Sequence, residues 1–160
     1  MLRLLLALVA LTCAACDPGC DTATDLASGE VHGTLDGVDW SASAATWRVA
    51  ATGVSIVAPP AVGWRLTLVA QLTDDGKDAA QRVHGHLPFQ IVLGNGSDGG
   101  WALLNGDNTD TYTTDDRSGG GWLRLARKRS GDLLGCTDFT ASDGRRTKQA
   151  TLAFRAAPSE

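Results

Sequence analysis

The stretch Glu30–Ser43, "EVHGTLDGVDWSAS", decides the fold class. Val31, Gly33 and Leu35 alternate with His32 and Thr34. After Asp36-Gly37 the alternation resumes, with Val38 and Trp40 set against Asp39 and Ser41. A period of two puts successive side chains on opposite faces of a strand. Asp-Gly supplies the positive φ of a two-residue type I′ turn, whose twist matches that of paired strands. The stretch is predicted to be a β-hairpin.

The same pattern runs outward from it. "ATWRVA" (45–50) and "GVSIVAP" (53–59) read as a second strand pair, stopped at Pro59-Pro60 because proline cannot donate to a ladder. In "GWRLTLVAQL" (63–72), Trp64, Leu66, Leu68 and Ala70 share one face. The charged "TDDGKDAAQR" (73–82) reads as a loop or one helical turn. "VHGHLPFQIVL" (83–93) is strand-like, with Pro88 at an edge or bulge. "WALL" (101–104), an edge strand at 109–114 and "GWLRLARK" (121–128) follow. "DLLGCTDFTAS" (132–142) and "KQATLAFRA" (148–156) are joined across a turn at Asp143-Gly144. No stretch sustains a 3.6-residue apolar period. The expectation is an all-β chain of about nine or ten strands with little or no helix, an antiparallel sandwich or barrel.

Before the hairpin the sequence changes character. "MLRLLLALVALTCAA" (1–15) has a basic start at Arg3 and then an uncharged aliphatic run. That run fits the apolar region of a signal peptide and is shorter than the roughly 20 residues of a membrane-spanning helix. Small residues precede Cys16, and "CAAC" (13–16) resembles the lipobox of bacterial lipoproteins, with Cys13 where that signal usually carries Leu, Val or Ile. The resemblance implies cleavage after Ala15 and lipidation of Cys16. Ordinary signal cleavage at the same bond is the other export outcome. Residues 1–15 are thus expected to be a signal peptide, 16–29 a small, polar, acidic tether, and 30–157 one β domain. A redox or metal role for Cys13 and Cys16 would need a folded setting, whereas this pair straddles the expected cleavage site. Cys20 and Cys136 remain, and an oxidising compartment favours a disulfide between them.

The 160 residues suit one domain. Fourteen basic against 18 acidic residues give a formal charge of −4, and no basic cluster points to nucleic acid. Nineteen glycines and five tryptophans fit short strands joined by tight turns.

Two segments carry a family resemblance. At the front stand Gly33, Leu35, Asp36, Gly37, Trp40 and Ala42; at the back, Gly135, Phe139, Gly144 and Phe154. This hairpin motif, with the closing Gly/Phe strand pair, resembles a family of uncharacterised bacterial lipoproteins. The resemblance implies a secreted, lipid-anchored all-β domain, and it supplies no catalytic residues.

Four groups of residues bear on chemistry. His84 and His86, two apart on an expected strand, would share a face as a weak metal clip, with His32 distant and no further ligand marked by spacing. Asp107, Asn108, Asp110, Asp115 and Asp116 lack the ligand spacing of a calcium loop and read as solvated. No G-x-S-x-G elbow marks a hydrolase, and paired carboxylates for glycoside cleavage are not recognisable by spacing. Trp64, Trp101 and Trp122 each follow glycine at a strand start, where they could stack on sugar rings or bury in the core. The reading that results is a non-catalytic, cofactor-free, lipid-anchored protein of the bacterial cell envelope. Its expected role is structural or in interaction with a protein or glycan. A carbohydrate- or small-ligand-binding module comes second and a hydrolase third.

Overall fold

A computed structural model of the chain describes residues 18–51, 53–61, 63–86, 88–94, 96–127 and 130–159. The expected signal peptide, Cys13 and Cys16 lie outside the described residues. The fold is all-β. Its strands are β1 (Glu30–Leu35), β2 (Val38–Ala42), β3 (Thr46–Val49), β4 (Val54–Ala61), β5 (Trp64–Ala70) and β6 (Phe89–Leu93). They continue with β7 (Gly100–Gly106), β8 (Thr111–Thr113), β9 (Gly120–Arg127), β10 (Leu133–Ser142) and β11 (Thr147–Pro158). Among the described residues there are also two short α-helices, α1 (Pro18–Asp21) and α2 (Ala79–His84), and a single 3-10 turn at Thr22–Thr24.

The hairpin forms as its sequence dictates. Asp36 and Gly37 have φ of 51° and 75°, and β1 pairs antiparallel with β2 in the register Gly33↔Trp40. Among the described residues, eight more antiparallel pairings extend this into two ladders, β2-β1-β11-β10-β9-β6 and β3-β4-β5-β7-β8. Two narrow bridges join the ladders. At one, β11 runs parallel to β3 through Ala157↔Thr46 and Pro158↔Trp47. At the other, Ser142 of β10 meets Thr113 of β8. The sheet therefore closes on itself: sandwich-like ladders with barrel-like closure.

Inward positions of both ladders meet in one core. Leu66 and Leu68 of β5, Leu104 of β7, Leu123 and Leu125 of β9, Phe139 of β10 and Leu152 and Phe154 of β11 are all buried in it. Trp40 and Trp47 are buried here too, and Trp47 Nε1 donates to the Gly131 carbonyl at 3.1 Å. Gly135 faces Phe154 across β10–β11, and a Cβ at Gly135 would lie 2.4 Å from the ring. Only glycine leaves room for that ring.

Three local expectations change. Pro59 and Pro60 do not end β4; they occupy a shift in its pairing with β5 between Ala58 and Ala61, where a lost ladder bond costs little. Residues 79–84 form a short helix because the Asp78 carboxylate caps the Ala80 and Gln81 amides. "VHGHL" is consequently not a strand: His84 ends α2, His86 has φ of 57°, and the strand starts at Phe89.

Candidate functional site

β10 is buried on both faces, an unusual state for a strand in an antiparallel sheet. Its inner face meets the main core. On its outer face Leu134 and Cys136 join Ala153 of β11 in a second apolar cluster, covered by Ala23 and Leu26. The cover is the segment before β1, read from sequence as part of a tether. From Cys20 onward it is packed on the sheet.

Several contacts hold that cover, the Gly29 amide bond to the Arg155 carbonyl at 2.7 Å among them. Cys20 and Cys136 form a disulfide with Cα atoms 4.9 Å apart, closing a separation of 116 residues. The Arg155 guanidinium donates to Asp132 at 2.6 Å and to the Leu26 carbonyl at 3.0 Å. Ser28 Oγ donates to the other Asp132 oxygen at 2.9 Å. Asp132 is thus a buried knot between the cover and β11.

Beside the cover lies an apolar groove of about 410 Å³. Its walls come from Cys20, Ala23 and Thr24 of the cover, Phe89 and Gln90 of β6, Leu125 and Ala126 of β9, and Leu134 and Gly135 of β10. Arg124 is the one charged residue lining it among the described residues. Its Nε donates to Gln90 Oε1 at 2.6 Å, and its guanidinium lies 4.9 Å from the centroid of the Trp122 ring. Both contacts hold the cation at the groove wall. Sequence reading missed this site. Its signals were the unbroken apolar run Leu133-Leu134 before Gly135-Cys136, and Cys20, Ala23 and Leu26 recurring every three residues.

The three candidate tryptophans do not share a face. Trp122 packs on the outer cluster near the groove. Trp101 is half-buried on β7 opposite Val69. Trp64 packs against the main core, edge-on to Tyr112 at 5.8 Å, with Lys148 Nζ 4.9 Å from its centroid. Cross-strand from Trp64 is Gly106, whose added Cβ would sit 3.1 Å from the ring. Trp64 is half-buried among these neighbours. Trp64 itself lines a smaller hollow of about 190 Å³, together with Asp107, Asn108 and Asp110.

The histidines are also apart from the expected geometry. His84 and His86 are exposed, on a helix end and a left-handed turn, so strand alternation does not align them. His32 is exposed on β1, its Nε2 4.0 Å from Glu30. Among the described residues no group of three or more His, Cys, Asp or Glu could hold a metal ion.

Among the described residues, four carboxyls are held below their ordinary range, each in a structural contact. Burial pushes Asp132 up, but hydrogen bonds from Arg155 and Ser28 and the Arg155 charge outweigh it. At Asp36 burial is likewise outweighed, by the Lys148 ammonium and the Gln149 amide. Asp143 is lowered to about 2, first by the Arg146 and Arg145 amides of its turn. Asp75 is lowered to about 2, first by the Thr73 hydroxyl, with Lys77 and Arg82 adding to it. A carboxyl with a lowered folded-state pKa stabilises the fold above its ordinary pKa, and that contribution is lost as pH falls through the folded value. Urea midpoints are therefore expected to fall as pH drops from about 4 to about 2. The fall is expected to be shallower in Asp132→Asn, which has already lost one of these carboxylates; an equally steep fall would count against the Asp132 knot.

No protein-family model, curated protein or solved structure matches the chain.

Proposed function

We propose that the protein is an exported, lipid-anchored domain of the bacterial cell envelope that acts by interaction and not by catalysis. The observation that carries this is the Cys20–Cys136 disulfide. Structural disulfides persist in oxidising compartments outside the cytoplasm. This one fastens the domain four residues after Cys16, the cysteine of the lipobox-like "CAAC". The aliphatic leader before it fits export, and the resemblance to uncharacterised lipoproteins points the same way.

The non-catalytic part of the reading rests on how the charged groups are used. Each carboxyl with a shifted pKa is held ionised while tying a turn, a strand end or the cover. A general acid at neutral pH needs a shift in the opposite direction. The small-ligand reading ranks second, favoured by the apolar groove.

Metabolic labelling with palmitate in a bacterial host tests the anchor. Label is expected on the wild-type protein and absent from Cys16→Ser, with the labelled protein in the membrane fraction. Label persisting in Cys16→Ser would sink the assignment.

A further inference from the structure

The outer face of the β3-β4-β5-β7-β8 ladder is a second surface, on other strands than the cover. We propose that it binds an acidic oligosaccharide, with a carboxylate of one sugar at the Arg48 guanidinium and another sugar ring stacked on Trp101.

The register sets these residues in line. Arg48 of β3 faces Ser55 of β4, Ser55 faces Val69 of β5, and Val69 faces Trp101 of β7. Their chain neighbours Trp47, Ile56, Leu68 and Ala102 pair in the same way and are buried in the main core. Alternation therefore turns Arg48, Ser55, Val69 and Trp101 outward. With strands roughly 4.8 Å apart, the backbones of Arg48 and Trp101 stand about 14 Å apart, the reach of a short oligosaccharide. Thr46, Val57, Thr67 and Leu103 form the next outward row. Val57, Val69, Trp101 and Leu103 are half-buried and belong to neither apolar cluster.

At its β3 end the face opens into a hollow of about 340 Å³, lined by Thr46, Trp47, Arg48, Ser55, Val57 and Ser159. That volume lies within the range of small-molecule sites, roughly 300–1,000 Å³. The Ser159 amide donates to the Trp47 carbonyl at 2.8 Å and so holds Ser159 at the wall. Thr46, Ser55 and Ser159 bring three hydroxyls, which donate and accept as sugar hydroxyls do. Arg48 is exposed and has no hydrogen-bond or ion-pair partner among the described residues. Its planar fork matches a carboxylate.

Charge and area select the partner. The charged outward residues of these strands are Arg48 and Arg65, both cations, on a chain of net charge −4. Five strands at roughly 4.8 Å spacing and about five residues of length make a face of about 400 Å². A stable protein interface takes about 800 Å² from each partner. A narrow anionic chain fits this face better than a folded protein does.

This inference rests on the interaction role and gives it a partner class; its test does not require the anchor. Tetrasaccharides of galacturonate, mannuronate and hyaluronan are titrated into purified Cys16→Ser protein by calorimetry. At least one is expected to bind at a single saturable site. Its fully methyl-esterified form should bind tenfold or more weakly. Raising salt from about 0.05 to about 0.5 M should weaken the acid form and not the ester. Arg48→Gln is expected to weaken the acid tenfold or more and to leave the ester unchanged. Arg145→Gln removes the same charge from an exposed turn elsewhere and should change neither. Trp101→Ala should weaken acid and ester alike by roughly fivefold or more, and Trp101→Phe should recover part of that loss. Absence of saturable heat with all three probes would overturn the proposal, as would equal weakening by Arg48→Gln and Arg145→Gln. Undiminished binding in Trp101→Ala would overturn the stacking. Hexaglutamate binding as tightly as the best tetrasaccharide would replace the glycan by an acidic peptide. A negative titration leaves the palmitate result standing, and failed labelling leaves the titrations interpretable.

Discussion

The Cys20→Ser/Cys136→Ala variant is expected to melt about 10 °C or more below the parent protein. The bond joins residues 116 apart, and a loop of that size restricts the unfolded chain by about 4–5 kcal/mol in the chain-entropy model. Alanine is chosen at position 136 because that side chain sits in an apolar cluster, where a serine hydroxyl would be buried without a designed partner. The loss has a second, local part. Without the bond, Ala23 and Leu26 are held over Leu134 by their own burial, the Ser28–Asp132 and Arg155–Leu26 hydrogen bonds and the Gly29 amide bond to the Arg155 carbonyl. Trp122, which packs at the rim of that cluster, should then emit at longer wavelength in the variant. A melting temperature within 2 °C of the parent would show that the bond contributes little to stability.

Phe154→Ala should cost about 3–5 kcal/mol, read as a lower urea midpoint at unchanged slope. Phe154 is fully buried, and its ring lies on Gly135 of the neighbouring strand. Truncation leaves a cavity that β10 cannot fill, because glycine has no side chain to move into it. Phe154→Leu keeps most of the volume and should cost under about 1.5 kcal/mol. Gly135→Ala approaches the same contact from the other side, since its Cβ would lie 2.4 Å from the ring and 2.4 Å from the Arg124 carbonyl oxygen. The Gly135→Ala and Phe154→Leu effects should not add, because relieving the ring clash leaves only the backbone one. A Phe154→Ala loss below 1 kcal/mol would show that the site collapses around the missing ring.

Much of the fold was legible, and the legible parts share one cause. Where one face of a strand is buried and the other wet, the sequence must alternate, as in Trp64–Ala70 and around Asp36-Gly37. The illegible parts lack that asymmetry. β10 is covered on both sides, so its apolar run carries no period. The cover over 20–29 is made of small and polar residues whose two buried side chains are Ala23 and Leu26. The helix at 79–84 depends on a single aspartate cap, a signal too short to outweigh the strand-like residues after it. The groove was hidden for a further reason. Its walls come from α1 and the turn after it, β6, β9 and β10, brought together by a strand order that local patterning does not encode.

β11 is the last strand in chain order, and it bonds to β1, β3 and β10. A chain that emerges with its N-terminal end first, from a ribosome or through a membrane pore, can form the hairpins β1–β2 and β4–β5 early. It cannot close the ring until residues 147–158 have cleared the exit. Until then β1, β3 and β10 each lack the partner that β11 supplies. Long-range pairing of this kind folds slowly. The late strand thus makes closure of the sheet wait for residues 147–158.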